Sequence, residues 1–296
     1  MTLSSGVHRL ASSSGELAYH DEGERNAPLI VLQHGFPDYP KTFFPLAERL
    51  RARGYRTVLP FLRGYAPSTL DGPFDDARLG LDLVELAEAL SPGRPALLVG
   101  HDWGAVAVYR AVQLRPEAFM RAVTLAVPHT AAFTRNLRAD LAQRWRSAYM
   151  AFFMLPFVPD RVVAARDFAF VDLLWRRWSP GHVAPADYMA ELKACLSASM
   201  PSPLGHYRAL ASTFVRPRGA SRPAKIRVPL LHLHGADDGC ISAETSDGEE
   251  RYFAGEFRRE VLAGVGHFLH LEAPERISNR ILEFIGDGER VQARSG

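Results

Sequence analysis

Cysteine is scarce in this chain. Two residues in 296, Cys195 and Cys240, are too few for a disulfide framework. That agrees with a reducing cytoplasm, the expected location. Neither cysteine stands in a partner motif, so both are expected to be buried, inert thiols. Net charge is also low, at +2, and the arginines are scattered. Without a long basic block, neither nucleic acid nor an anionic membrane is an expected partner. No apolar run reaches the ~20 residues of a membrane helix. The longest candidate, residues 149–158, is cut by Pro156. Residues 1–14 lack the charged and apolar regions of a secretory leader. No glycine-rich phosphate loop is present, and no cofactor is expected. His232 and His234 alternate along a predicted strand, but no third ligand follows at a suitable spacing. They read as structural histidines, and no metal is expected.

What is present is a soluble composition, 47% hydrophobic and 23% charged, in a chain long enough for one α/β domain plus an insertion. Strand and helix signals alternate at first. Residues 7–12 and 16–20 read as a hairpin around Ser14-Gly15, 29–33 as a buried strand, and 43–53 as a helix stopped by Gly54. A strand at 56–59 follows. Residues 76–90 put Leu79, Leu83, Leu86 and Leu90 on one helical stripe. Strands are expected at 96–99 and 122–127. This alternation predicts a mostly parallel sheet with helices on both faces. From about residue 130 to 215 the pattern changes to helices rich in aromatics, including 167–178, 186–196 and 204–214. A Pro/Arg-rich linker at 216–223 leads to strands at 229–234 and 258–262 and a last helix from Pro274 to about residue 285. The expected organisation is a core of residues 1–129 and 216–296, with a helical lid of residues 130–215 inserted after the sixth strand.

The most informative segment is Gly100-His101-Asp102-Trp103-Gly104, between an apolar strand and a helix-compatible run. It has the form of a G-x-S-x-G nucleophile elbow with aspartate where serine usually sits. A carboxylate is poorly suited to acyl transfer. It can displace a leaving group from saturated carbon and form an alkyl ester. Hydrolysis of that ester needs a base and a group to orient it. His267, in Gly264-Val265-Gly266-His267, fits the base. Asp238, in Gly235-Ala236-Asp237-Asp238-Gly239, fits the orienting acid, with Asp237 in reserve. His34-Gly35-Phe36-Pro37 closes the third strand at the same edge. The backbone N–H groups of Phe36 and Trp103 are the expected oxyanion donors.

These motifs, with Arg63-Gly64-Tyr65 and Ser68, make the chain resemble an epoxide hydrolase of the α/β-hydrolase superfamily over nearly its full length. The resemblance implies an eight-stranded α/β-hydrolase fold with a helical cap. Haloalkane dehalogenases share most of the motifs. The resemblance further implies two lid tyrosines that hold the epoxide oxygen. Tyr149, ahead of Phe152-Phe153-Met154-Leu155-Pro156, and Tyr207, in Tyr207-Arg208, occupy those places. Halide release would instead use indole donors, for which Trp103, Trp145, Trp175 and Trp178 are candidates. Met154 stands where the family carries glutamine. Pro60-Phe61-Leu62 lacks the family's usual aspartate before Arg63. The implied substrate is a small apolar epoxide, with His34, Pro37, Phe152, Phe153 and Met154 near it and Leu155 and Phe157 adding to the apolar lid. A non-catalytic ligand-binding role remains the alternative from another class, and a homodimer is left open.

Overall fold

The computed structural model describes residues 6–214 and 224–295. The predicted linker at 216–223 lies outside them. Eight strands form one sheet: β1 His8–Ser12, β2 Gly15–Glu22, β3 Leu29–Gln33, β4 Arg56–Pro60, β5 Ala96–His101, β6 Phe119–Leu125, β7 Leu230–Gly235 and β8 Phe257–Leu262. Their order is β1-β2-β4-β3-β5-β6-β7-β8. β1 and β2 pair antiparallel, β2 joins β4 antiparallel, and the remaining pairs are parallel.

Every residue of β3, β4, β5 and β7 is buried, as strands covered on both faces must be. Alternate residues feed two separate apolar cores. Ile30, Leu32, Leu97, Val99 and Leu231 pack on one side against Leu46 and Leu50 of α1 (Phe44–Arg51) and Ile277 and Ile281 of the last helix (Pro274–Ser295). Val31, Leu98 and Ala122 pack on the other side, against α2 (Asp76–Leu90) and α3 (Trp103–Leu114). The Asp75 carboxylate caps α2 by accepting from the Arg78 N–H at 2.9 Å, which places the helix start where the sequence predicted it.

Among the described residues, six helices lie between β6 and β7: α4 Thr130–Ala139, α5 Leu141–Arg146, α6 Ala148–Phe153, α7 Val158–Trp178, α8 Ala186–Ser199 and α9 Gly205–Phe214. α7 is broken at Ala165–Phe168, where Arg166, Asp167 and Phe168 have φ of 51°, 53° and 57°. Beyond the break the predicted stripe of Phe168, Val171, Leu174, Trp175 and Trp178 is buried. No single helix among the described residues is long and apolar enough to cross a membrane.

The parallel strands end on one edge. β3 delivers Gly35-Phe36, β5 delivers Asp102, β7 leads to Asp238 and β8 to His267, so four separate loops converge where α/β sheets place their sites. Two glycines permit the tight turn at β5. A Cβ on Gly104 would lie 2.0 Å from the Gln33 carbonyl oxygen, and one on Gly100 would lie 2.2 Å from the Gly104 oxygen. Both obstacles are backbone and cannot swing aside. Gly104→Ala should therefore cost at least about 1–3 kcal/mol of stability. Chemical denaturation checks this; an unchanged midpoint would mean that β3 and α3 can separate freely.

Candidate active site

Asp102 sits between the end of β5 and α3 with φ 52° and ψ −119°. Few non-glycine residues tolerate such a backbone, and it is held because β5 and α3 are both fixed by packing. The turn lifts the carboxylate toward the loop after β3. Its Oδ1 accepts the Phe36 N–H at 2.8 Å. A Cβ on Gly35 would fall 2.3 Å from that same oxygen and 2.6 Å from the Trp103 nitrogen, so Phe36, Trp103 and Asp102 crowd one spot. The oxyanion arrangement expected of Phe36 and Trp103 thus has its Phe36 half as a formed hydrogen bond.

The Asp102 Oδ2 lies 3.8 Å from His267 Nε2, and no described group satisfies that nitrogen. On the other side of the ring, Nδ1 is 2.8 Å from Asp238 Oδ2. Asp238 is buried, and its Oδ1 accepts from the N–H groups of Cys240 and Ile241 at 2.7 and 2.9 Å. Asp237 is exposed. The choice between the two aspartates therefore falls on Asp238. The Trp178 carbonyl accepts from both His267 N–H and Gly239 N–H, each at 3.1 Å, tying the two catalytic loops to the end of α7.

Burial pulls the His267 imidazole toward the neutral form, but the carboxylates of Asp238 and Asp102 outweigh it and raise its pKa to about 10. Near neutral pH the ring is therefore an imidazolium between two carboxylates.

The two predicted tyrosines come from different helices of the insertion and meet beside Phe36 and Trp103, which flank Asp102. The Tyr207 ring packs on Trp103, Phe36 and Phe153 with centroids 5.1, 5.6 and 5.1 Å away. Tyr149 lies 6.0 Å from Tyr207 and 5.1 Å from Trp178, which itself lies 5.1 Å from His267. The Tyr207 hydroxyl is buried without a hydrogen-bond partner among the described residues. The Tyr149 hydroxyl lies 3.3 Å from Cys240 Sγ. Both tyrosines titrate well above the usual range. Burial is the main cause for each; the Asp102 charge comes next for Tyr207, and Cys240, Tyr207 and Asp102 follow for Tyr149. Both therefore keep their protons and can donate them.

Other expectations are revised. Both ring nitrogens of His34 are engaged within the protein. Its Nδ1–H donates to the Gly35 carbonyl at 2.9 Å and its Nε2 accepts from Leu62 N–H at 3.0 Å, so it braces the loop. Burial lowers its pKa to about 4, consistent with that neutral role. Leu155 and Phe157 are exposed and do not line the site. Phe153 does, whereas Phe152 stacks one layer further out, on Phe153 and Phe170. Met154 is half-buried beside them. The Pro37 carbonyl accepts the Trp175 indole N–H at 3.0 Å. Trp145 is 82% exposed. Those two indoles are thus removed from the halide-binding candidates. Arg63 forms a two-pronged ion pair with Asp82, both contacts at 2.8 Å.

Sequence reasoning missed two features. Cys240 is not a bystander: its thiol meets Tyr149 and its backbone holds Asp238. Its place two residues after Asp238 on the same loop was the available signal. The second is a buried group behind His267. His101 Nε2–H donates to the His267 carbonyl at 3.0 Å, and the His101 and His270 rings lie 4.5 Å apart beside Asp38. Among the described residues, Asp38, His101 and His270 form one group whose ligand atoms could hold a cation, and Asp238, Cys240 and His267 form another.

The alpha/beta hydrolase family pattern matches residues 29–280. The chain belongs to the alpha/beta hydrolase family. Among curated members, the chain is 26% identical to "Epoxide hydrolase 4" of Mus musculus over 301 residues, covering 96% of this chain and 81% of that one. It is 27% identical to "Epoxide hydrolase A" of Mycobacterium tuberculosis over 319 residues, covering 94% and 97%. Among solved structures, an epoxide hydrolase of Bacillus megaterium in complex with an inhibitor superimposes with a TM-score of 0.83, at 23% identity, covering 94% of this chain and all of that one. This hydrolase fold is thus shared over nearly its whole length.

Proposed function

We propose that this chain is an epoxide hydrolase that opens a small apolar epoxide to a vicinal diol through an ester on Asp102. The observation that carries the reading is the position of one carboxylate. It lies 3.8 Å from an imidazole, and one of two neighbouring protonated tyrosines, Tyr207, packs on Phe36 and Trp103, which flank it. The named relatives, aligned along almost the whole chain, support the same substrate class.

The mechanism follows from proton accounting. Tyr149 and Tyr207 donate hydrogen bonds to the epoxide oxygen. Asp102 attacks the less hindered ring carbon, the C–O bond breaks, and the alkoxide takes a tyrosine proton. The tyrosinate recovers a proton from the His267 imidazolium. That leaves a neutral imidazole, which is the base the second step requires. Alkylation also removes the Asp102 charge, one of the two that raised the His267 pKa. His267, still held by Asp238, takes a proton from water, and the hydroxide attacks the ester carbonyl carbon. Negative charge collects on the oxygen facing Phe36 N–H and Trp103 N–H. On collapse the bond from the carboxyl carbon to the oxygen on the former epoxide carbon breaks. The departing alkoxide takes the proton of the new Asp102 carboxyl group, and the diol leaves with the carboxylate and the imidazolium both restored.

This cycle fixes two pH limbs. Ring opening draws its proton from a tyrosine that protonated His267 resupplies, so it should slow, without stopping, as pH rises through about 10. Ester hydrolysis needs neutral His267, so it should fail as pH falls below the lower value that holds once Asp102 is neutral. Single-turnover rates for the two steps should show limbs of opposite sign; two limbs of the same sign would refute the proton cycle.

The reading is tested by offering epoxides and chloro- or bromoalkanes side by side. Diol formation without halide release is expected. Halide release as the faster reaction would favour a dehalogenase, and binding without turnover would favour a receptor.

A further inference from the structure

The two strand histidines, His232 and His234, belong to a buried chain of polar contacts starting beside Asp238. His234 Nε2 lies 3.5 Å from Asp238 Oδ2 and 2.8 Å from the Ile241 carbonyl. His234 Nδ1 meets His232 Nε2 at 3.2 Å, and His232 Nδ1 meets Thr124 Oγ1 at 3.0 Å. Thr124 Oγ1 meets the Tyr109 hydroxyl at 2.9 Å, which lies 2.8 Å from Glu249 Oε1 and 3.2 Å from the Val127 carbonyl. All five of these residues and Asp238 are buried, and the other Glu249 oxygen has no described partner. A line of hydrogen-bonding groups thus crosses the core from α3 and β6 to β7.

Counting hydrogens over the five links from Glu249 to the Ile241 carbonyl, with the longer Tyr109–Val127 contact left aside, gives two arrangements that fill every link. In one, Glu249 is a neutral acid. It donates to Tyr109, Tyr109 to Thr124, Thr124 to His232 Nδ1, His232 Nε2–H to His234 Nδ1, and His234 Nε2–H to the Ile241 carbonyl. In the other, every link between Glu249 and His234 is reversed. Four protons each hop one link, four bonds to hydrogen break and four form. Glu249 becomes a carboxylate and His234 an imidazolium beside Asp238. An ionised Glu249 with neutral His234 has one hydrogen too few, which leaves a buried contact without a proton.

We propose that Glu249 is a positioning residue for the Asp238–His267 pair, acting through Tyr109, Thr124, His232 and His234 to place or withdraw a positive charge next to Asp238. The proposal rests on the reading of His267 as the base and Asp238 as its orienting acid. The charge matters once Asp102 is esterified and His267 is neutral. Asp238 is then a buried carboxylate without a cation on its histidine. An imidazolium at His234 supplies one and weakens the pull of Asp238 on the next His267 proton.

The surroundings suit a movable charge. Glu249 also accepts the His129 N–H at 2.6 Å, and Arg259 and Glu250 act on it with opposite sign. Burial outweighs these contacts and raises its pKa to about 7. Burial lowers the pKa of both His232 and His234, and Arg259 adds to this; on His234 Asp238 and the Ile241 carbonyl pull the other way and His267 opposes them, so the imidazolium form depends on the proton that Glu249 gives up. Arg259 itself is tied to Ser246, Ala243 and Asp247.

The test uses the full chain with Asp102→Asn, whose amide mimics the uncharged ester, and reads the His267 pKa by imidazole NMR. Glu249→Gln holds the neutral direction, because an amide can donate to Tyr109 but cannot give up its proton. Thr124→Val cuts the line while leaving Glu249 in place. Each should raise the His267 pKa by about one unit, a tenfold change in proton affinity. The two together should do no more than either alone. In the enzyme with Asp102 intact, the acid limb of ester hydrolysis should move up by the same amount. An unmoved pKa, or shifts that add, would overturn the proposal. Should Glu249→Gln fail to fold, Thr124→Val alone decides. The NMR reading needs no turnover, so a failure of the epoxide reading would appear separately, as absent diol.

Discussion

His267→Gln should stop the enzyme after its first bond-making step, leaving Asp102 as a stable alkyl ester. The two halves of the reaction ask different things of this side chain. Attack on the epoxide uses the Asp102 carboxylate, whose Oδ1 is held by Phe36 N–H independently of the imidazole. Hydrolysis needs a base on the water, and His267 Nε2, 3.8 Å from Asp102 Oδ2, is the one placed for it. General-base assistance of this kind is worth about 10²–10⁴ in rate. Ester hydrolysis should slow by that factor while alkylation persists. Intact-protein mass spectrometry with a styrene-oxide-like substrate should show one added substrate mass. Continued diol formation with no adduct would remove the covalent intermediate.

The double variant Tyr149→Phe/Tyr207→Phe should lose ring opening almost entirely and leave ester hydrolysis, once an ester is present, nearly intact. An epoxide oxygen departs as an alkoxide, and in a site closed by Phe36, Phe153 and Trp178 there is little else to take its charge. Donors aimed at developing negative charge are worth about 10²–10³ each. The tyrosines also respond to the reaction itself. The Asp102 carboxylate helps keep both hydroxyls poorly acidic before attack. As that charge is consumed, the opposing field falls and the proton becomes easier to give. Each single variant should therefore lose about 10²-fold in the rate of alkylation, and the pair more than either. Rapid-quench measurement of ester formation checks this. A double variant that still alkylates at the normal rate would mean that the oxygen is protonated from elsewhere.

The local parts of this site could be read from the chain. The elbow at Asp102 follows from an apolar strand and close-packed glycines, all within a few residues. The order Asp102, Asp238, His267 could be read because each follows a recognisable strand. What escaped was decided across the fold. Asp237 and Asp238 are neighbours in sequence, and only the turn after β7 buries one and exposes the other. Leu155 and Phe157 look as apolar as Phe153, yet the end of α6 turns them to solvent. Cys240 gains its role because α6 sets Tyr149 on it from 91 residues away. His232 and His234 read as ordinary strand residues, because the groups that link them to Glu249 lie on α3 and β6. Sequence spacing reports neighbours along one element, whereas these contacts depend on how separate elements are stacked.

The measurement closest to the chemistry is a single turnover in water enriched in ¹⁸O, with enzyme in excess over epoxide. If Asp102 makes the new bond to carbon, the first diol carries an oxygen from the carboxylate, and the label enters the protein in the peptide containing Asp102. An unlabelled first diol with labelled Asp102 is the expected result. A labelled diol with an unlabelled protein would mean that water attacks the epoxide directly and that the carboxylate never bonds to substrate.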